Sequence, residues 1–208
     1  NDSYFNKSRK ATVTVTDVNF EGAENMVTVT KNGSTIGVPK ISWIGNKGTV
    51  TFNSDGVYTF GINTTLLMDK AGNRVSQVTY DESSVATNKF VIDKTAPQVT
   101  IAYDNNNVLN NKFFGKSRKA TVTVTDTNFK GSAKMVAVKA TDKDNKEVTA
   151  PTIKWNGKVA TFNCSKDAYY TVSVDKAEFV DLAGNKAVVS TEGQKAPRPG
   201  RVGLTCET

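Results

Sequence analysis

Histidine is absent from the 208 residues of this chain, and there are only two cysteines. The missing imidazole excludes histidine-based catalytic triads and removes the commonest metal ligand of proteins. Cys164 and Cys206 are too few for a zinc ribbon and too far apart for a Cys-x-x-Cys redox motif. No apolar run reaches the length of a membrane span, so we expect no membrane insertion in this segment.

The composition that remains is typical of a soluble β protein. Val, Ile and Phe carry most of the hydrophobic share and are interleaved with Thr, and such residues suit a pleated, half-buried surface. The net charge of +7 favours anionic partners, although it also serves solubility. No basic run is interleaved with aromatic residues as in nucleic-acid platforms, so we expect no nucleic-acid partner.

An internal repeat organises the chain. The segment 5–20, FNKSRKATVTVTDVNF, recurs at 114–129 with fourteen of sixteen positions identical. Further on, Tyr58 pairs with Tyr170 and the loop 69–73 pairs with 181–185, now at a spacing of 112 rather than 109 residues. A period of this length is a whole domain. The repeat therefore predicts two domains, residues 1–93 and 94–208.

Short alternating segments predict strands in both copies. In 10–16 and 119–125, Ala and Val alternate with Thr or Lys, which indicates one buried and one solvated face. The motif Asp-(Gly/Ala)-x-Tyr-Thr precedes another alternating strand in each copy. Its spacing is that of a tyrosine corner, in which the hydroxyl of Tyr58 or Tyr170 bonds backbone upstream. Several short strands per hundred residues predict an all-β fold of two tandem immunoglobulin-like β-sandwiches.

The first and last strands of the two copies are expected to differ. Strand A of copy two is predicted at 99–103, and copy one has no counterpart, so domain 1 is expected to lack its A strand. The last strand of copy one, 90–92, corresponds by spacing to 202–204 in copy two.

The paired Asp-x-Ala-Gly-Asn loops and the junction 93–97, DKTAP, resemble the bacterial immunoglobulin-like repeats of large surface proteins and adhesins. In that family such a loop is followed by a strand and then by an Asp-x-Thr-Ala-Pro junction. The resemblance implies an extracellular, repetitive protein of a bacterial surface or secretion. It identifies no ligand.

A calcium site is predicted where loops of a sandwich converge at one end. The expected ligands of domain 2 are Asp126 and Asp181, with Asn185 and the linker residue Asp93; those of domain 1 are Asp17, Asp69 and Asn73. Carboxylate and amide oxygens are the ligands that Ca²⁺ prefers. The alternative is that these side chains bond local backbone in turns.

Two other candidate sites are predicted, a disulfide and a basic cluster. Cys164 aligns with Ser54 at the end of a strand and Cys206 follows the last strand, so a disulfide between them is predicted beside the alternative that they do not meet. A repeated basic cluster is a possible anionic-ligand patch, or else a charged strand entry that discourages edge pairing. It comprises Lys7, Arg9, Lys10, Lys116, Arg118 and Lys119.

These observations predict a non-catalytic tandem segment of a bacterial cell-surface or secreted protein, acting as a spacer or stalk or as part of an adhesive region. Its partners would be neighbouring repeats. One alternative is a binding module for a host glycan or for a host protein or glycoprotein such as an immunoglobulin. Another is an accessory module of a carbohydrate-active enzyme. No cofactor is predicted other than the possible Ca²⁺, and a small sandwich offers no cleft for an enzyme's paired carboxylates.

Overall fold

The computed structural model describes residues 3–79, 88–109, 113–129, 134–191 and 204–207. The side chains of 108, 109, 191 and 204–207 lie outside that description. The chain divides into two compact units, Asn1–Thr95 and Ala96–Thr208, called domain 1 and domain 2 below. Among the described residues, no helix is long or apolar enough to cross a membrane.

Domain 1 is a sandwich of two sheets. Its described strands are β1 (Ser3–Phe5), β2 (Arg9–Thr14), β3 (Val27–Lys31), β4 (Ser42–Ile44), β5 (Lys47–Phe52), β6 (Gly56–Ile62) and β7 (Lys89–Ile92). One sheet has the order β1-β7-β6-β3 and the other has the order β2-β5-β4. A single 3-10 turn at Glu24–Met26 precedes β3. The inward residues of both sheets, among them Val29, Val50, Phe52, Phe60 and Phe90, form one buried cluster.

Domain 2 repeats this plan with additional strands. They are β8 (Gln98–Tyr103), β9 (Val108–Leu109), β10 (Phe113–Phe114), β11 (Arg118–Thr125), β12 (Val136–Thr141), β13 (Lys154–Asn156), β14 (Val159–Cys164), β15 (Tyr169–Val174), β16 (Val188–Thr191) and β17 (Leu204–Glu207). The sheets have the orders β13-β14-β11-β8-β16 and β12-β15-β17, beside a small β9–β10 hairpin. The predicted all-β fold of two immunoglobulin-like sandwiches is confirmed by this pairing.

The period-two pattern of β11 is realised as predicted. Ala120, Val122 and Val124 are buried, whereas Thr121 and Thr123 between them are only partly so. In β2, the equivalent Ala11 and Val13, with Val15 just after the strand, face the same side but are only half-buried. The sequences of the two segments are nearly identical, so the difference comes from what covers them.

The last strand of domain 2 differs from the prediction. The described strand is Leu204–Glu207, and it runs parallel to β15. In domain 1, β7 runs antiparallel to β6. β17 therefore occupies the edge that β7 occupies in domain 1 but in the opposite direction, and the equivalence of 202–204 with 90–92 is wrong. Spacing alone could not reveal this, because strand direction depends on the intervening path; residues 192–203 lie outside the described residues.

Domain 1 does have a strand before β2, although it is not a counterpart of β8. β1 pairs parallel with β7, in the sheet opposite β2. Within the described residues of domain 1, β5 is the only strand that pairs with β2. In domain 2, β11 is paired on both sides, by β14 and by β8.

Candidate functional site

The tyrosine corners form in both domains as predicted. The Tyr58 hydroxyl donates to the backbone carbonyl of Ser54 at 2.9 Å, and the Tyr170 hydroxyl donates to that of Lys166 at 3.0 Å. Both rings are buried. Burial raises the pKa of Tyr170, and its hydrogen bond to Lys166 acts in the opposite direction. The hydroxyl thus ties the loop before the strand to the core.

Replacing Tyr58 or Tyr170 by phenylalanine removes this hydroxyl and leaves the carbonyl partner less satisfied. We expect each change to lower the free energy of unfolding of its own domain by about 0.5–1.5 kcal/mol. Urea denaturation of the intact chain measures this, and the transition of the other domain serves as the control. An unchanged midpoint for both domains in both variants would contradict the corner's structural role.

The Asp-x-Ala-Gly-Asn loops close on themselves. In domain 2 the Asp181 carboxylate accepts hydrogen bonds from the backbone of Ala183 and Asn185 and from the Asn185 amide, all at 2.7–2.8 Å. Gly184 adopts a φ of 83°, a region that favours glycine. The turn chemistry that the sequence left open as an alternative is therefore present.

The loop of domain 1 has the same clamp. Asp69 accepts from the backbone of Ala71 and Asn73 and from the Asn73 amide at 2.8–2.9 Å. Hydrogen bonds from Asn73 hold the pKa of Asp69 below its usual range; the bond from the Asn73 side chain has the largest effect, followed by the bond from its backbone. Asp17 accepts from the backbone of Asn19, two residues on, at 2.7 Å.

The structure brings part of the predicted calcium set together. In domain 2, carboxylate oxygens of Asp126 and Asp181 lie within 4.8 Å of each other. Two negative charges at that separation repel each other unless hydrogen bonds or a cation offset them. Asp181 is buried, and Asp126 also accepts a hydrogen bond from the backbone of Asn128. Asp93 is buried at the end of β7 in domain 1. Calcium remains a prediction here.

Arg118 is not a surface residue, and its assignment to an anionic-ligand patch is wrong. It is only 2% exposed. Its guanidinium lies 3.9 Å from the ring centroids of Tyr103 and of Phe114, and it donates to the Asn105 carbonyl and the Asn106 side chain. Burial lowers its pKa, yet a guanidinium stays charged. Arg118 is thus a packed part of the domain 2 core.

Arg9, the equivalent residue of domain 1, is partly exposed. Its guanidinium lies over the rings of Phe5 and Phe90, at 4.1 and 4.5 Å from their centroids. Both arginines therefore stack on aromatic rings, and neither is a plain surface charge. The other four residues of the predicted patch are exposed: Lys7, Lys10, Lys116 and Lys119. Binding of an anionic ligand by these lysines remains a prediction.

Cys164 is not the counterpart of Ser54. β14 pairs with β11 so that Cys164 faces Arg118, and β5 pairs with β2 so that Phe52 faces Arg9. Cys164 therefore occupies the place of Phe52. The sequence comparison missed this because it aligned Phe52 with Phe162. Cys206 lies within β17, opposite Val172, and its side chain is outside the described residues. Cys164 is a free thiol, so the predicted disulfide is not present in this structure.

The Cys164 thiol is 1% exposed, and burial raises its pKa from 9.0 to about 11, against a smaller opposite effect of Arg118. In the reduced protein we expect the Cys164 thiol to be alkylated slowly at pH 8, because the thiolate is the reactive form and a raised pKa leaves little of it. A raised thiol pKa contributes stability that is present below pH 9 and lost as the pH rises through about 11.

The check is a series of urea midpoints between pH 8 and pH 11, with Cys164→Ala as the non-titrating control. The wild-type domain 2 should lose more stability over this range than the variant. Alkylation of the folded, reduced protein as fast as in urea would contradict the burial. An intact mass lower by two hydrogens under non-reducing conditions would instead show the disulfide.

A groove of about 700 Å³ runs beside β2 in domain 1. Residues 9–17 of β2 and its extension line one wall, and residues 67–69 and 73–79 line the other, with Phe52 and Phe60 at the floor. The missing counterpart of β8 is the one feature of the sequence that could have indicated this groove, but no groove was predicted.

The strand pairing and the two separate cores define the chain as a tandem of immunoglobulin-like domains. No family model matches the sequence, and no curated protein matches it. The fold assignment therefore depends on the topology described above.

Three solved structures are similar at low identity. The I9–I11 tandem of titin is 14% identical, with a TM-score of 0.20, over 91% of this chain and 62% of that one. The full ectodomain of mouse nectin-like molecule 4 is 12% identical, with a TM-score of 0.27, over 78% and 52%. Domains 4–9 of the surface layer protein SbsC are 12% identical, with a TM-score of 0.22, over 100% and 30%. The chain spans less than two thirds of each.

Proposed function

We propose that this chain is a non-catalytic tandem segment of a bacterial cell-surface or secreted protein, serving as a spacer or as part of an adhesive region. The observation that carries the proposal is the identical use of the repeated residues. Tyr58 and Tyr170 bond the carbonyl four residues upstream at 2.9 and 3.0 Å. Asp69 and Asp181 clamp their asparagines in the same way. These repeated residues maintain the fold.

The junction supports a role in a linear array. The segment between β7 and β8 is short and contains Pro97, so its backbone has little freedom. Thr95 donates from its hydroxyl to Asp55 at 2.7 Å, and Lys94 donates to Ser8 at 2.9 Å, so the end of domain 1 is held to its own body. A spacer needs domain ends that are fixed in this way.

A second function, recognition of a host glycan or glycoprotein, is favoured by one feature that is not repeated. Val18 is 96% exposed and Ile44 is 84% exposed. Val18 lies in the turn after β2 and Ile44 ends β4; the two segments are adjacent, because the Asn46 side chain donates to the Asp17 carbonyl. Domain 2 has Thr127 and Asn156 at these positions. Exposed aliphatic side chains are typical of contact surfaces when they cluster.

The intact chain should be tested on glycan and serum-glycoprotein arrays, including immunoglobulins. A spacer shows no saturable binding, and a tandem polyprotein of it shows two unfolding events per chain under force. The variant Val18→Thr/Ile44→Asn gives domain 1 the residues of domain 2 and should leave stability unchanged. Saturable binding that this variant abolishes would overturn the spacer role and establish the binding module.

The calcium prediction belongs to the same proposal, since an ion at Asp126 and Asp181 would stiffen domain 2. An ion bound only by the folded state raises the melting temperature as its concentration increases. We expect EDTA to lower the domain 2 transition and Ca²⁺ to restore it, and Asp126→Asn to abolish that response. A transition unmoved by EDTA would remove calcium and leave the turn chemistry as the full account.

A further inference from the structure

Two turns of the chain place asparagine directly before glycine, and these are the only Asn-Gly pairs in the sequence. Asn156-Gly157 lies where β13 turns into β14, and Asn32-Gly33 lies at the tip that follows β3. Both turns use the freedom of glycine, because Gly157 has a φ of 57° and Gly33 has a φ of 80°. The same intramolecular reaction is therefore open to both asparagines.

That reaction is the closure of a succinimide ring. The backbone nitrogen of the glycine attacks the side-chain Cγ of the asparagine, and the new N–Cγ bond replaces the Cγ–Nδ2 bond. The proton of the glycine amide leaves with Nδ2 as ammonia. Water then opens the ring at either of its two carbonyls, which gives aspartate or isoaspartate. Glycine favours the attack because it has no Cβ to shield its nitrogen or restrict its backbone.

Asn32 is restrained against this reaction by its neighbours. Its φ of 52° and the φ of Gly33 are those of a type I′ turn. The Asn32 backbone N–H donates to the Val57 carbonyl at 2.8 Å, and the Asn32 Oδ1 accepts from the Val57 N–H at 2.9 Å. Ring closure rotates both the side chain and the backbone of the asparagine, so it competes with both hydrogen bonds.

Asn156 has no such restraint. It is exposed, and its side chain makes no hydrogen bond within the described part of the chain. The N–H of Gly157, which is the attacking group, donates to no backbone carbonyl of the residues that the structure describes. β13 is a three-residue strand at the edge of its sheet, next to β14. Short edge elements open at little cost in free energy, so Asn156 can reach the geometry of attack.

Conversion of Asn156 would alter the hairpin that this residue closes. Isoaspartate adds one methylene to the main chain, directly before a two-residue turn. The pairs Asn156–Val159 and Trp155–Ala160 depend on the length of that turn, because turn length sets hairpin register. Trp155 packs against Phe179 in the core of domain 2, with ring centroids 6.4 Å apart. A change at the turn is therefore transmitted to the core.

We propose that Asn156 is a site of spontaneous deamidation and isoaspartate formation in the folded protein, and that Asn32 is protected by its hydrogen bonds to Val57. Domain 2 thereby acquires a slow, irreversible modification that loosens β13 from β14. The proposal follows from the geometry of two turns and does not depend on the spacer role.

The test follows both asparagines in one sample of the intact chain. The chain is incubated folded in mildly alkaline buffer and, in parallel, unfolded in guanidinium chloride. Peptide mapping by mass spectrometry quantifies each conversion, and isoaspartyl methyltransferase with a labelled methyl donor marks the isoaspartate. In the folded chain we expect Asn156 to convert about tenfold faster than Asn32 or more, since two hydrogen bonds together have an effect of that order. In denaturant the two rates should be similar.

Exchanging residues between the equivalent turns of the two domains supplies matched controls. Domain 1 has Ile44-Gly45 at this position, and Gly45 has a φ of 55°. Asn156→Ile should remove the conversion from domain 2. Ile44→Asn should create it in domain 1 at a comparable rate, because β4 is also at the edge of its sheet. Freshly prepared Asn156→Asp adds the negative charge without lengthening the main chain.

The loosening of β13 has its own readout. The aged wild-type chain should show a lower urea midpoint for domain 2 than fresh Asn156→Asp, with the domain 1 midpoint unmoved. Conversion of Asn32 as fast as that of Asn156 in the folded chain would overturn the proposal. So would an unconverted Asn156 after an incubation in which the denatured chain converts. An aged domain 2 as stable as fresh Asn156→Asp would overturn the effect on β13.

Discussion

Replacing Phe52 by alanine is expected to lower the free energy of unfolding of domain 1 by about 3–5 kcal/mol, because the side chain is large and completely packed. Its ring contacts Tyr58, Phe60 and Phe90 with centroid separations of 5.1, 6.0 and 5.0 Å. The ring belongs to β5 but touches both β6 and β7, so its loss leaves a cavity between the two sheets.

Urea denaturation of the intact chain, followed by tryptophan fluorescence, should show the domain 1 transition shifted or lost and the domain 2 transition unchanged. Thr51→Ala is the matched control, since Thr51 is the exposed neighbour on the same strand. A loss below about 1 kcal/mol for Phe52→Ala, the size typical of surface substitutions rather than core cavities, would contradict this account of the core.

Exchanging Phe52 and its equivalent Cys164 between the two domains tests this prediction further. Phe52→Cys gives domain 1 the residue of domain 2 and should cost nearly as much as alanine, because the partly exposed Arg9 does not fill the space. Cys164→Phe places a ring opposite the buried Arg118 and should destabilise domain 2 by about 1–3 kcal/mol through overpacking. Neutral behaviour of either exchange would show that the two cores are interchangeable.

Replacing Arg118 by alanine is expected to destabilise domain 2 by about 3 kcal/mol, from lost stacking and from hydrogen bonds made by a charged group. The rings of Tyr103 and Phe114 enclose the guanidinium at 3.9 Å each, and the Asn105 carbonyl accepts from its Nε at 2.5 Å. The arginine thereby joins β8 and β10 to the start of β11.

Arg9→Ala is the matched control for that change. The same substitution in the same sequence should cost about 1 kcal/mol, because Arg9 stacks on its rings while partly in water. Chemical denaturation with both transitions resolved measures the two losses side by side. Equal losses of stability for the two substitutions would contradict the prediction that the buried arginine contributes more than the partly exposed one.

The alternating segments and the tyrosine corners could be predicted from the residues because both are local. A period of two fixes which face of β11 is buried, and the corner joins a tyrosine to a carbonyl only four residues away. The clamp of Asp181 on Asn185 is local in the same sense. Close neighbours in sequence can find each other with little loss of chain entropy, so their pattern carries the information.

The burial of the two arginines could not be predicted from local sequence in this way. Arg9 and Arg118 lie in the same six-residue sequence from Ser8 or Ser117 onward, yet one is partly exposed and the other is buried. What differs is a residue on the paired strand, Phe52 or Cys164, and whether a strand such as β8 brings an aromatic ring alongside. Those partners are distant in sequence, so no local pattern predicts them.

The sequence by itself determined that there are two copies, that both are all-β, and which turns and corners close them. Only the tertiary structure decided which edge of β2 remains open, the direction of the last strand of domain 2, and the burial of Arg118. The physical reason is that strand partners are chosen by packing across the whole domain. A ladder can be completed only by a strand that is present, and in domain 1 the described residues provide none on the side of β2 away from β5.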